Sequence, residues 1–189
     1  MQFILGMLLA KNPTLGPDPP GWRVFASVAY FKDKLYYLGG EDPKTGEDTN
    51  RVDLLMMEVE RYTDYQTMNG NGLKLKSFQN NKSFGVASLN GKFYITGGWK
   101  SGDDVFKSCL CFDPSAPAGS RISRIADMNY ARYDHSLIVA NGKLYAIGGF
   151  QKAEKRSNDL YYGINFCDII EEYNPQTNKW REVEKITIK

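Results

Sequence analysis

Three stretches decide the fold: SVAYFKDKLYYLGG (residues 27–40), VASLNGKFYITGG (86–98) and LIVANGKLYAIGG (137–149). They align without gaps on their closing glycine pairs, Gly39-Gly40, Gly97-Gly98 and Gly148-Gly149, which recur after 58 and 51 residues. Self-similarity at such a period marks a repeat architecture, in which each copy is one supersecondary unit whose apolar face needs a neighbour. Each stretch reads as strand, turn, strand. The turns are Asn90-Gly91 and Asn141-Gly142 in the second and third copies. Asn-Gly is the strongest short hairpin signal, because a type I′ turn needs positive φ at both central residues. The first copy departs with Lys32-Asp33. The second strands, KLYYL, KFYIT and KLYAI, are apolar or aromatic on both faces. A sheet with one wet face would alternate, so these sheets are expected to be covered on both sides. The glycines end the strand where positive φ or close backbone approach is required.

Outward from these stretches, the pattern predicts third strands near residues 54–61, 106–112 and 168–173. Fourth strands are expected at 73–75, at 121–123 and from Trp180. Asn174-Pro175 and Asp113-Pro114 open the intervening turns of the last two copies, and residues 64–72 form a looser version in the first. The fold class is therefore all-β, built on four-stranded antiparallel units. Residues 22–80, 81–130 and 131–189 make three repeats. Residues 1–21 supply an N-terminal strand and a Pro-rich link with Pro13, Pro17, Pro19 and Pro20.

The third copy carries Arg132, His135, Gly148-Gly149, Tyr173 and Trp180 in one frame. In that frame, and in its period of about 50 residues, the chain resembles kelch repeats over residues 22–189. It is most similar to kelch-like proteins, in which a BTB and BACK region precedes the propeller and the kelch part selects substrates for a cullin–RING ubiquitin ligase. The resemblance implies three kelch β-propeller blades of a partial propeller. Departures mark the first two copies as degenerate. Asn81 replaces the arginine found at Arg23 and Arg132, Ala26 and Phe84 stand where the third copy has His135, and the fourth-strand tryptophan occurs only as Trp180. Propellers close with about 4–8 blades. Three blades leave two apolar faces, to be covered by the rest of a longer chain, by a second copy, or left as an open arc with the N-terminal strand attached. No BTB-like region precedes the repeats within these residues, so a ligase role for the chain as it stands is not implied.

Composition narrows the function. Lys and Arg total 24 against 22 Asp and Glu, a net charge of +2 over 189 residues. Nucleic-acid and membrane-surface binders need a basic excess, so neither partner is expected. No apolar run reaches the ~18 residues of a membrane span. Residues 1–10 are apolar but lack the basic start and cleavage site of a signal peptide. Cys109, Cys111 and Cys167 are an odd set with no disulfide framework, and His135 is the single histidine. No metal site, no cofactor and a cytoplasmic location follow as expectations.

Loops on a rigid scaffold usually carry function. The resemblance implies that one loop face binds partner proteins or peptide motifs. By position that face holds Glu41, Asp42, Trp99, Lys100, Phe150 and Gln151 after the glycines. Before the first strands it holds Phe25, Ser83, Tyr133 and Asp134. Trp99, Phe150 and Tyr133 are the expected anchors, since aromatic side chains dominate interface energetics. Residues 150–166 form a long connection, which favours a binding loop. Arg23 and Arg132 are expected to meet a carboxylate or backbone carbonyls, His135 to be a hydrogen-bonded structural group, and Trp180 to be core. No catalytic residue is identified. The sequence thus points to a non-catalytic protein-interaction module that can also self-associate through open blade faces. Two other roles known among kelch proteins stay open: an actin-binding scaffold and a carbohydrate-acting enzyme of the sialic-acid-mutarotase kind. Copper chemistry of the galactose-oxidase kind needs two histidines, and one is present.

Overall fold

The computed structural model describes residues 23–31, 34–47, 52–56, 65–67, 82–100, 104–117, 120–152 and 165–186. The expected N-terminal strand and Pro-rich link, the Lys32-Asp33 turn and residues 73–75 lie outside them. Every named element is a strand. The chain divides into two compact units, residues 1–80 and 81–189.

The first unit holds one antiparallel sheet, in the order β1 (Ser27–Phe31), β2 (Lys34–Leu38), β3 (Val52–Met56) and β4 (Tyr65–Thr67). Its fourth strand falls inside the stretch that the sequence assigns to a turn. The sequence misplaces it because this copy lacks an Asn-Pro or Asp-Pro turn signal. Tyr65 and Thr67, both strand-favouring residues, pair with Leu55 and Asp53 instead.

The second unit holds two such sheets. One runs β5 (Gly85–Leu89), β6 (Lys92–Thr96), β9 (Cys109–Phe112), β10 (Ile122–Ile125). The other runs β11 (Ser136–Ala140), β12 (Lys143–Ile147), β15 (Ile169–Asn174), β16 (Lys179–Lys185). Positive φ at Asn90 and Gly91 (52° and 78°) and at Asn141 and Gly142 (50° and 71°) gives both hairpins the expected turn. Two short ribbons were not foreseen. β7 (Trp99–Lys100) pairs with β8 (Asp104–Val105), and β13 (Phe150–Gln151) pairs with β14 (Asn165–Phe166). Each starts directly after a glycine pair.

The two sheets share a core. Leu89, Tyr94, Cys109, Cys111 and Met128 meet Leu137, Leu144, Ala146, Tyr173 and Trp180. The Trp180 indole N–H donates to the Ala126 carbonyl (2.9 Å), and Asn178 Oδ1 accepts from the Ala126 N–H (2.8 Å) and the Tyr173 hydroxyl (2.9 Å). Strand β6 is buried on both faces from Phe93 to Thr96, as its composition predicts. Strand β12 is not: Leu144 and Ala146 are buried, while Lys143, Tyr145 and Ile147 are half-buried. Its second face sets polar groups beside Ile147 and the exposed Ile138 of β11. Glu172 there accepts from Arg181 Nε (2.7 Å), Lys143 Nζ (2.9 Å) and the Tyr145 hydroxyl (2.8 Å). Those donors, Arg181 first, hold its carboxyl at about 2. The same register positions in the neighbouring sheet are Tyr94 and Cys111, both core.

The second glycine of each pair makes room for a carbonyl. A Cβ on Gly40, Gly98 or Gly149 would stand 2.7, 2.9 or 2.5 Å from the carbonyl oxygen of Val24, Lys82 or Tyr133. All three glycines also have φ between 84° and 99°. Gly148, with φ 68°, has nothing among the described residues within 4 Å of a built Cβ. Gly148→Ala should therefore cost only the left-handed penalty, about 1–2 kcal/mol. Gly149→Ala should cost measurably more, because the carbonyl must also retreat. Urea unfolding of the two variants side by side checks the order.

Candidate functional site

The space left by each second glycine is used by a backbone bridge. Val24 pairs with Glu41, Lys82 with Trp99 and Tyr133 with Phe150, each antiparallel and outside the main sheets. Both bonds form in each case, for example Tyr133 N–H to the Phe150 carbonyl (3.0 Å) and Phe150 N–H to the Tyr133 carbonyl (2.8 Å). The bridge ties the residue three positions before each first strand to the residue after each glycine pair. It thereby fixes where the expected anchors stand.

In the second unit this places the aromatic rings in one series. Trp99 lies 5.9 Å from Tyr133, Tyr133 lies 5.4 Å from Phe150, and Phe150 lies 5.1 Å from Phe166, centroid to centroid. Interplanar angles of 37° to 47° make every contact tilted. Such pairs contribute about 0.5–1.5 kcal/mol each beyond area burial. At the tryptophan end the buried Lys82 ammonium sits 4.5 Å over the indole. The sequence analysis singled out Trp99, Tyr133 and Phe150 but not Lys82 or Phe166. Phe166 enters only through the β13–β14 pairing, across a long connection, and nothing local in the sequence marks that pairing.

The residues next to the bridges share an unusual backbone. Phe25, Ser83 and Asp134 occupy equivalent positions with φ of 58°, 55° and 51°. A left-handed phenylalanine is a strained choice, and an aspartate is not. Phe25 and Asp134 are exposed, whereas Ser83 is buried. The Asp134 N–H donates to the Ser83 carbonyl (2.9 Å), linking the last two repeats. Lys100 and Gln151 are half-buried on the ribbons, opposite Asp104 and Asn165. Glu41 is half-buried at its bridge. Asp42 is engaged in its own turn: its carboxylate accepts from the Lys44 N–H (2.8 Å) and its carbonyl from the Gly46 N–H (2.8 Å).

Arg132, next to Tyr133 in the chain, forms a buried ion pair. Arg132 Nη2 meets Glu171 Oε2 at 2.8 Å, and neither side chain is exposed. Arg132 Nη1 donates to the carbonyls of Ile169 (2.9 Å) and Gly148 (3.2 Å). Glu171 Oε1 accepts from the Asn129 N–H (2.6 Å) and its side-chain amide (2.8 Å). Arg23 is also tied into its own repeat. Its guanidinium stacks on the Tyr37 ring (4.4 Å) and donates to the Tyr37 carbonyl (3.1 Å), while the Tyr37 hydroxyl donates to the Arg23 carbonyl (2.7 Å).

His135 projects into the neighbouring repeat. Its Nε2 lies 2.8 Å from Thr96 Oγ1, and its ring occupies the space that side chains on Gly85 and Gly97 would fill. Burial, with the Arg132 charge nearby, pushes its pKa down to about 3, so the ring is neutral. Burial likewise pushes the Cys109 thiol up to about 12, which makes it an unreactive core group. Among the described residues no three His, Cys, Asp or Glu side chains cluster as metal ligands. No helix there is long and apolar enough to cross a membrane.

Residues 81–117 and 131–185 match the Kelch motif. By this match the two stretches resemble kelch repeats. The chain is 36% identical over 104 residues to Kelch-like protein 15 of Danio rerio. It is 30% identical over 105 residues to Kelch repeat and BTB domain-containing protein 12 of Homo sapiens. The first match covers 49% of this chain and the second 51%, and each covers only 16% of the relative. The solved structure of YjhT superposes with a TM-score of 0.64 at 17% identity, covering 91% of this chain and 54% of that one. The fold is thus all-β, of kelch β-propeller blades, in a chain similar to kelch-like proteins.

Two outcomes follow from the buried groups. Glu171→Ala leaves an uncompensated guanidinium and should destabilise the chain by about 3–5 kcal/mol in urea unfolding. For His135 the folded pKa of about 3 lies below the ordinary 6.5, so the unfolded chain takes up the proton first. Its contribution to stability is complete above about pH 6.5 and is lost as pH falls toward 3. Glu172 adds its own loss only below its ordinary 4.5. The urea midpoint should therefore drop between pH 7 and pH 5, and His135→Gln should remove most of that drop.

Proposed function

We propose that the chain is a non-catalytic protein-interaction module that binds partner proteins or peptide motifs through the bridge-and-loop face of its kelch repeats. The observation that carries this is the aromatic series of Trp99, Tyr133 and Phe150, set by backbone bridges, and Phe166, set by the β13–β14 pairing, all on residues that link strands rather than on the four-stranded sheets. Aromatic anchors held rigidly by a scaffold lose little entropy on binding, which is what a recognition surface needs. Asp134, Lys100 and Gln151 supply polar groups around the series, with Ser83 beneath them; Phe25, Glu41 and Asp42 form the matching face of the first repeat. In the finer reading the module is the substrate-recognition part of a cytoplasmic cullin–RING ubiquitin ligase adaptor. The similarity to a relative named as a kelch repeat and BTB domain-containing protein supports it.

The test is selection from a displayed random-peptide library, followed by affinity measurement on the purified chain. Trp99→Ala and Tyr133→Ala should each weaken the selected peptides by at least about tenfold, the loss expected on truncating an anchor. Undiminished affinity in both variants would overturn the assignment of this face. Co-sedimentation with actin filaments, unchanged by either substitution, would move the function to a cytoskeletal scaffold.

A further inference from the structure

The aromatic series has two unlike ends. At one end the Lys82 ammonium covers the Trp99 ring at 4.5 Å, and Lys82 itself is buried. At the other end Phe166 is 64% exposed, the largest value among the exposed large apolar side chains described. Among those residues no ring stacks beyond it. Phe166 is nevertheless not a loose side chain. Its strand pairs with β13 through Phe150↔Phe166 and Gln151↔Asn165. The flanking Cys167 N–H donates to the Gly149 carbonyl at 2.9 Å. The ring is thus presented in a set position, with its inner side already against Phe150.

Resting on the reading above, we infer that Phe166 is the open rung of the series and takes an aromatic side chain of the partner peptide. Three successive contacts at 5.1–5.9 Å repeat one tilted geometry, and an incoming ring continues it. A cationic side chain could also lie on a phenylalanine face, but the surroundings disfavour it. Lys152 directly follows β13 and is exposed, and its carbonyl accepts from the side chain of Asn165, the residue before Phe166 (3.4 Å), so a second cation would enter beside a lysine. The occupant is therefore an uncharged ring rather than a lysine or arginine.

The test follows the Phe ring resonances of the full chain by NMR, with N-acetyl-L-phenylalaninamide and N-acetyl-L-argininamide as probes. The aromatic probe should shift the Phe166 ring most and Phe150 next, and the arginine probe should shift neither. Equal shifts with both probes, or none at Phe166 with the aromatic one, would overturn the inference. The library-selected peptides give the second arm. They should be enriched in Phe, Tyr or Trp, and Phe166→Ala and the apolar Phe166→Leu should both weaken them by at least about tenfold. Full affinity in the Phe166 variants with loss in Tyr133→Ala removes the open rung and leaves the binding face standing. Full affinity in all of them removes the face as well.

Discussion

The structure depends on one close approach: a backbone carbonyl set against the second glycine of each pair. Val24, Lys82 and Tyr133 each bring a carbonyl oxygen to within 2.9 Å or less of where a Cβ would stand on Gly40, Gly98 and Gly149. Only because that atom is missing can the chain entering each blade lie beside the chain leaving its second strand. The paired N–H and C=O groups of the bridge then satisfy backbone that would otherwise be buried without partners. The strand start, the loop and the ring series all take their positions from this contact.

The last two repeats are joined by chemistry of a different kind. His135 crosses from one into a slot that Gly85 and Gly97 leave open in the other, and reaches Thr96. The Arg132 carbonyl accepts the Gly98 N–H at 2.9 Å, while its guanidinium serves its own repeat through Glu171. One residue thus works on both sides of the seam. The pair is demanding rather than simply stabilising, because each charge relies on the other once both are out of water. The outward face of the third repeat departs from this interior. Where Tyr94 and Cys111 are packed against a neighbour, Tyr145 and Glu172 sit in a charged network with Lys143 and Arg181. That face combines this network with the half-buried Ile147 and the exposed Ile138.

Three rings of the candidate site's aromatic series were legible in the residues. Aromatic residues directly after the glycines and before the first strands mark Trp99, Phe150 and Tyr133, because the repeat frame aligns them. The two ribbons were not legible. Two-residue strands such as Trp99–Lys100 carry no periodicity to read. Phe166 reaches Phe150 across a connection whose pairing no local pattern announces. The first repeat shows the same limit at its fourth strand, where Tyr65–Thr67 forms the edge without the turn signal that marks the others.

What the sequence by itself determined is the repeat. Glycine pairs, Asn-Gly turns and Lys-apolar-Tyr strands are local requirements of backbone dihedrals and sheet packing, so they are written in the residues that meet them. What only the tertiary structure decided is adjacency. Lys82 over Trp99, Phe166 beyond Phe150, and His135 in a slot of the neighbouring repeat are contacts between segments distant in sequence. Residue type constrains such contacts weakly, because they are set by how far each segment is carried by the blades between them.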